Sequence, residues 1–182
     1  MKDLPLYLTL LRILLAPTIF VLIGFFKLYF LGIVLFIMAS ISDYLDGFLA
    51  RKFKSETSLG KILDPLADKL LLLFMLFLIA YLDQSFFIFF VLSIMLAREL
   101  MMLSLRQFSA ENKIYEKTDV SPLSKLKTAI QFLTILLILI GQMTSNALSL
   151  FIGYFFLVTS LLLSMKSFLN AFVSVYEIAK RK

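Results

Sequence analysis

The chain has 182 residues, of which 61% are hydrophobic, and apolar runs recur from residue 13 to residue 175 with only short polar breaks. A soluble domain is nearer half apolar and hides most of that fraction in one core, so this chain leaves no room for a separate soluble domain. It has no cysteine and no histidine, which excludes disulfides, thiolate metal sites and the commonest general base. Acid–base or metal chemistry must therefore rest mainly on carboxylates.

The lengths of the apolar runs predict six membrane-spanning helices in an all-α, polytopic membrane protein. The expected spans are residues 6–26, 28–50, 60–81, 86–106, 125–141 and 147–168 or beyond. The apolar part of the second run alone is too short to cross a hydrocarbon core of about 30 Å. Because it becomes long enough when it continues to Ala50, we expect Asp43 and Asp46 to lie on the last turns of that helix.

Polar segments separate the predicted spans. The expected turns and loops are Lys27 and residues 51–59, 83–85 and 107–124. The sequence allows two positions for the start of the third helix. Either Asp64 caps a regular helix that has Pro65 at its first position, or a kinked helix begins nearer Gly60.

The basic residues are distributed unequally between the two sides that six spans define. Both ends of the chain and the loops at 51–59 and 107–124 fall on one side, and of the 18 Lys and Arg residues only Lys27 falls in a loop on the other. The positive-inside rule assigns the first side to the cytoplasm. The net charge of +6 is then explained by topology and attraction to anionic lipid heads, with no nucleic-acid partner. We expect a multi-pass protein of the inner membrane.

Four aspartates lie within one stretch beside the membrane. Asp43 and Asp46 are three residues apart at the end of the second helix, and Asp64 and Asp68 are four apart on the third, so each pair shares a helix face. If the short loop makes these helices antiparallel neighbours, the two acidic faces meet at the cytoplasmic end. Converging carboxylates repel each other, and a hard divalent cation such as Mg²⁺ or Mn²⁺ is the natural counter-charge.

Small residues and an arginine accompany the aspartates. Gly47, Ala50 and Gly60 add no bulk, and the planar fork of Arg51 suits a phosphate. Together with metals, these residues predict a pyrophosphate-binding site for phosphoryl transfer. The alternatives are that the small residues are helix-packing contacts and that the acidic residues cap a helix or line a cation or proton pathway.

The pattern D-x2-D-G-x2-A-R-x8-G-x3-D-x3-D resembles the signature of the CDP-alcohol phosphotransferase family of integral membrane enzymes. The residues at its eight fixed positions are Asp43, Asp46, Gly47, Ala50, Arg51, Gly60, Asp64 and Asp68. The resemblance implies a six-helix membrane fold, which agrees with the predicted spans, in one domain over residues 1–182. It also implies a homodimer.

The resemblance further implies a role for each signature residue. Asp43, Asp46 and Asp64 would bind a two-metal centre of Mg²⁺ or Mn²⁺. Asp68 would be the base that takes the proton from the acceptor hydroxyl and would also contact a metal. The residues implied for the cytidine-diphosphate pocket are Gly47, Ala50, Arg51 and Gly60.

Outside the signature, the chain is similar to the phosphatidylglycerophosphate synthase branch of that family. The opening of that branch, N-x-P-x-x-L-T-x-x-R, is matched by Pro5, Leu8, Thr9 and Arg12, with Asp3 in place of the asparagine. Residues 97–99 and 105–106 resemble its A-R-E and L-R. Residues 124–128 resemble its G-K-x-K-T, with Ser124 in place of the glycine. Further candidate site residues are therefore Thr9, Arg12 and Arg106.

A small dianion such as glycerol 3-phosphate needs cations of its own near the metals, and the candidates are Arg98, Lys125 and Lys127. The alternative for Arg98 is a structural ion pair, expected to involve another helix and not Glu99, because adjacent residues on a helix point apart. The alternative for the two lysines is that they extend to the lipid head groups.

The sequence thus predicts an enzyme that transfers the phosphatidyl group from CDP-diacylglycerol to sn-glycerol 3-phosphate and releases CMP at the cytoplasmic face. One alternative is a related enzyme with another acceptor, namely phosphatidylglycerol for cardiolipin synthesis, serine or an inositol phosphate. Two others are a small cation transporter and an inactive family member that acts as a scaffold.

Overall fold

The computed structural model describes the backbone of residues 4–53, 58–112 and 122–181, and the side chains of residues 6–42, 63, 66–112 and 129–180. The described backbone forms six α-helices, which confirms the all-α prediction. Their bounds are α1 Leu4–Gly24, α2 Tyr29–Phe53, α3 Ser58–Asp83, α4 Phe86–Glu111, α5 Pro122–Thr144 and α6 Ala147–Arg181.

Within the described residues, three helices are long and apolar enough to cross a membrane by length and composition. These candidate spans are Leu6–Gly24, Phe86–Glu111 and Ala147–Lys180. The described parts of α2 and α5 contribute shorter apolar stretches, Tyr29–Ser42 and Ala129–Thr144. More than one span is therefore present, while the full set of six and their orientation stay predictions.

Several helices extend further than the apolar runs that predicted them. Helix α2 continues through Arg51, so this residue is helical and the prediction that the loop begins there was wrong. Helix α3 begins at Ser58, so Asp64 is not its N-cap, and the alternative of a helix that starts earlier is correct. The extra residues of α4 and α6 include no Gly or Pro, and half of them are good helix formers, so the sequence lets both helices continue beyond the apolar runs.

The turns between successive helices are made by residues in the left-handed region. Lys27, Gln84 and Ser145 have φ values of 56°, 51° and 52°. The predicted turns at Lys27 and residues 83–85 are confirmed. Because the connection at Lys27 is only a few residues long, α2 reverses direction close to the end of α1, against which it packs.

The described chain divides into two compact units. The first comprises Met1–Gln84 and Leu139–Asn146, and in it α1 packs against both α2 and α3. Helices α1 and α2 approach closely at Gly32, where an added Cβ would clash with the Ile23 side chain. The fully buried Ile19, Ile23, Leu71 and Met75 place α1 in the centre of this unit, so a polar side chain on α1 can reach α3.

The second unit comprises Ser85–Ile138 and Ala147–Lys182. Helix α4 packs against α6, and α6 contacts α5 closely, since an added Cβ on Gly153 would lie 2.7 Å from Ile138 Cγ1. The Ser149 hydroxyl donates a hydrogen bond of 2.9 Å to the Leu137 carbonyl. The division into two units does not test whether the whole chain forms one domain, and that stays a prediction.

Candidate active site

The signature residues lie on two helix ends. Those on the last three turns of α2 are Asp43, Asp46, Gly47, Ala50 and Arg51. Those on the first three turns of α3 are Gly60, Asp64 and Asp68. Of these eight side chains, only Asp68 is among the described ones. The predicted convergence of the two acidic faces therefore falls outside the described residues and stays a prediction.

Asp68 is held by an arginine from the first helix. Arg12 Nη1 donates a hydrogen bond of 2.7 Å to Asp68 Oδ1, across 56 residues of sequence. The Arg12 side chain is 1% exposed, whereas that of Asp68 is 46% exposed. A charge-assisted bond of this length fixes the direction of the carboxylate. Asp68 is thus anchored from inside the unit and accessible from outside it.

Thr9 lies on the same face of α1, three residues before Arg12, and is fully buried. Thr9 and Arg12 were predicted as further site residues without a named target. Arg12 contacts the predicted base, so the arginine of the T-x-x-R pattern of α1 belongs to the surroundings of Asp68. The signal for this pairing was the buried cation itself, because a guanidinium inside a membrane helix needs an acidic partner.

Arg98 lies in the middle of α4 and is 3% exposed, and its neighbour Glu99 is 7% exposed. Arg98 Nη1 donates to Glu99 Oε1 at 2.6 Å, and Arg98 Nε donates to the Ser164 carbonyl of α6 at 3.0 Å. The expectation that Arg98 does not pair with Glu99 was therefore wrong. Their Cα–Cβ bonds do diverge, but both side chains are long enough to curve toward each other. Two separate buried charges would cost more free energy than the ion pair formed in this way.

The other predicted acceptor residues are placed only in part. Lys125 and Lys127 lie in the first two turns of α5, and their side chains are outside the described residues. Arg106 is exposed in the C-terminal half of α4. The binding of the acceptor phosphate by Arg98 and the two lysines stays a prediction.

Two buried polar residues were not singled out by the sequence analysis. Gln131 and Thr134 lie on the buried face of α5 and are 4% and 1% exposed. Among the described residues, neither Gln131 Nε2 nor Thr134 Oγ1 has a hydrogen-bond partner. In the sequence, the pair stands out as two polar residues three apart in the apolar part of α5. They follow Lys127 by four and seven residues and so lie on the same side of the helix.

The donor set of the signature fits a hard divalent cation, because it consists of carboxylate oxygens without nitrogen or sulfur. Asp68, the described member, presents a half-exposed carboxylate that an ion can reach. The described side chains alone contain no group of three or more potential ligands, since those of Asp43, Asp46 and Asp64 fall outside them. The residue types thus agree with Mg²⁺ or Mn²⁺.

The class of protein follows from three features. The helices include several apolar spans, the acidic signature lies on two helix ends, and a buried arginine anchors the last aspartate. Together they describe a membrane enzyme. Residues 2–166 match the family model described as CDP-alcohol phosphatidyltransferase. The chain belongs to this family, which confirms the resemblance seen in the signature. It is accordingly a multi-pass membrane protein.

Individual relatives agree with this assignment. A protein of Wigglesworthia glossinidia brevipalpis is 36% identical over 172 residues, which cover 93% of each chain. A protein of Rickettsia typhi is 39% identical over 152 residues, or 82% of this chain and 83% of the relative. One of Haemophilus influenzae is 36% identical over 137 residues, or 73% of each. Each of the three is named CDP-diacylglycerol–glycerol-3-phosphate 3-phosphatidyltransferase.

Proposed function

We propose that this protein transfers the phosphatidyl group from CDP-diacylglycerol to sn-glycerol 3-phosphate, giving phosphatidylglycerophosphate and CMP. The observation that carries the proposal is similarity along nearly the whole chain to relatives that bear the name of this reaction. The eight signature positions are all occupied as the reaction requires.

Asp68 is the proposed base. Its carboxylate accepts the proton of the primary hydroxyl of the acceptor, whose oxygen forms a bond to the lipid-bearing phosphorus. The bond from that phosphorus to the bridging oxygen of the pyrophosphate breaks, and CMP leaves with the electron pair. Because Arg12 holds one carboxylate oxygen at 2.7 Å, Asp68 keeps a fixed direction toward the hydroxyl, which is what general-base catalysis requires.

The remaining signature residues bind the donor. Asp43, Asp46 and Asp64, with Asp68, would hold two Mg²⁺ or Mn²⁺ ions, which when bound neutralise the pyrophosphate and the charge of departing CMP. The residues that form the cytidine-diphosphate pocket in this proposal are Gly47, Ala50, Arg51 and Gly60. Arg51 pairs with a phosphate, and the small residues let the nucleotide approach the helix backbone.

In the acceptor site, Arg98, Lys125 and Lys127 bind the phosphate of glycerol 3-phosphate. The protein spans the inner membrane six times, contacts membrane lipids, and has both termini and its active site on the cytoplasmic side. The unequal distribution of Lys and Arg supports this orientation. As the family resemblance suggests, it works as a homodimer.

The acceptor is tested by incubating the purified protein with CDP-diacylglycerol, Mg²⁺ or Mn²⁺ and one acceptor at a time. The acceptors are glycerol 3-phosphate, serine, inositol phosphate and phosphatidylglycerol, and released CMP is measured. We expect CMP release with glycerol 3-phosphate when Mg²⁺ or Mn²⁺ is present, and no release without either ion. Release with serine or phosphatidylglycerol but not glycerol 3-phosphate would contradict the proposal, and ion flux in vesicles without CMP release would indicate a transporter.

A further inference from the structure

The buried face of α5 carries two polar side chains whose hydrogen-bonding groups are not satisfied. Gln131 Nε2 and Thr134 Oγ1 have no hydrogen-bond partner among the described residues, although both side chains are more than nine-tenths buried. Further along the same face, Ile135 and Ile138 are buried and apolar. Buried polar atoms are almost always hydrogen-bonded, so two unsatisfied ones together need an explanation.

The hydroxyl of Thr134 lacks the backbone hydrogen bond that other threonines in the described helices make. Thr18 and Thr144 bond to the carbonyls four residues earlier, both at 2.8 Å, which is the usual way for a threonine in an apolar helix to satisfy itself. Thr134 Oγ1 makes no such bond in the described structure. Its hydroxyl is therefore available to a group that is not part of the α5 backbone.

The two side chains together specify the chemistry of a ligand. Residues three apart on a helix have Cβ atoms about 5–6 Å from each other, so one small group can contact both. The amide of Gln131 donates a hydrogen bond, and the hydroxyl of Thr134 donates or accepts one. An aliphatic hydroxyl is the matching group, since it accepts and donates at one oxygen. A charged group would be desolvated there without a counter-charge.

The helical register connects this pair to the proposed acceptor site. Lys127 precedes Gln131 by four residues and Thr134 by seven, which places all three positions on one side of α5. The rise from Lys127 to Gln131 is about 6 Å, a distance that a three-carbon chain can bridge. An acceptor with its phosphate at Lys127 would bring its hydroxyls toward Gln131 and Thr134.

We propose that Gln131 and Thr134 bind the secondary hydroxyl of the acceptor alcohol, the one that does not react, and so select glycerol 3-phosphate over phosphates that lack this group. The proposal rests on the proposed function. It assigns the discrimination between acceptors to two uncharged residues of α5, whereas the phosphate contacts of Arg98 and the lysines would bind any small phosphate monoester.

The test compares two acceptors in the wild type, Gln131→Met and Thr134→Val. 3-Hydroxypropyl phosphate keeps the phosphate and the terminal hydroxyl of glycerol 3-phosphate and lacks the secondary hydroxyl. We expect each variant to raise the KM for glycerol 3-phosphate about tenfold, as the loss of one or two hydrogen bonds predicts. The KM for 3-hydroxypropyl phosphate should change less than about twofold, because it never makes the lost contact.

The same helix offers a matched control pair. Gln142→Met and Thr144→Val make identical chemical changes where the glutamine is half-buried and the threonine is exposed, and they should leave both KM values unchanged. The midpoint of thermal unfolding in detergent is measured for all four variants. Gln131→Met and Thr134→Val should unfold no lower than the wild type, because apolar side chains of similar shape replace atoms that made no internal hydrogen bond.

Several results would overturn the inference. Equal losses with both acceptors, unchanged KM values, or a lower unfolding midpoint would show that the pair has an internal or structural role or holds only water. A raised KM for CDP-diacylglycerol alone would mean that the hydroxyl belongs to the ribose of the donor. If the wild type releases no CMP with glycerol 3-phosphate, the proposed function fails, and this inference fails with it before any variant is compared.

Discussion

Asp68 combines two properties that a catalytic carboxylate needs. One oxygen is fixed by Arg12, whose side chain is 1% exposed, while the Asp68 side chain is 46% exposed and can be reached by a substrate. A surface aspartate without such an anchor would sample several rotamers. At the scale of a residue, the pair converts an ordinary acidic side chain into one with a single direction.

We expect Asp68→Asn to reduce turnover by about 10²–10⁴-fold, the range that a general base contributes. The amide cannot accept the proton but keeps the shape and an oxygen for Arg12, so donor binding should persist. CMP release and retention of CDP-diacylglycerol by the purified protein measure the two effects. Asp83→Asn, at the opposite end of the same helix, is the control that should keep normal turnover, and near-normal turnover in Asp68→Asn would refute the base assignment.

Arg98 and Glu99 form a buried ion pair whose members depend on each other. Glu99→Ala leaves the Arg98 guanidinium buried without its carboxylate, which should lower the free energy of unfolding by about 3–5 kcal/mol. The double variant Arg98→Met, Glu99→Leu removes both charges and should recover most of that loss. Thermal or denaturant unfolding in detergent gives the values. Additive losses in the double variant would show that the pair is not coupled.

At the scale of the helices, two glycines differ in the space around them. An added Cβ on Gly153 would lie 2.7 Å from Ile138 Cγ1 and 3.3 Å from the Ile138 backbone nitrogen, whereas one on Gly24 would meet only atoms at 3.7 Å. The first environment has backbone that cannot move aside easily. The second is an ordinary contact.

Gly153→Ala should therefore destabilise the protein by about 1–3 kcal/mol, the usual cost of overpacking. Gly24→Ala is the matched control and should be close to neutral, since its methyl group has room. Unfolding midpoints of the two variants in the same detergent decide the matter. A Gly153→Ala protein as stable as Gly24→Ala would mean that α5 and α6 are not packed closely at this point.

The helices themselves were largely predictable, and their ends were not. The six runs and the turns at Lys27 and residues 83–85 follow from where apolar residues stop. Hydrophobicity does not report where a helix ends in water, so the helical state of Arg51 was missed and the end of α6 beyond residue 168 was left open. Asp64 with Pro65 resembles a helix start, but a residue before proline can also lie inside a helix when surrounding contacts stabilise it.

The candidate site was predictable where it depends on charge and fixed spacing. Their charge and spacing predict metal or proton chemistry for the signature aspartates, and for Asp43, Asp46 and Asp64 this stays a prediction. The Arg98–Glu99 pair was excluded wrongly because directions of Cα–Cβ bonds do not describe long flexible side chains. Gln131 and Thr134 were missed because an uncharged polar residue costs little to place in a helix. The importance of such a residue becomes visible only when the structure shows which of its polar atoms lack a hydrogen-bond partner.

At the scale of the whole molecule, the membrane topology predicted from the charges can be tested cleanly, because the chain has no cysteine of its own. Lys27→Cys should react with a membrane-impermeant maleimide added to intact cells. Asn112→Cys, after α4, should react only once the membrane is permeabilised. Both parent residues are exposed. The reverse pattern would invert the predicted orientation, and labelling of both in intact cells would contradict the odd number of spans predicted between them.

The ion pair between Arg12 and Asp68 also has a consequence for biogenesis. An arginine near the centre of an isolated helix opposes insertion into the bilayer by roughly 2.5–3.5 kcal/mol. During synthesis α1 leaves the ribosome first, and the aspartate that compensates its charge follows 56 residues later. The apolar residues of the first helix outweigh this penalty, so the helix can insert by itself, and the arrival of Asp68 on the third helix removes the remaining cost of the charge. We therefore expect a nascent chain truncated before Asp68 to hold its first helix less firmly in the bilayer than the complete chain does.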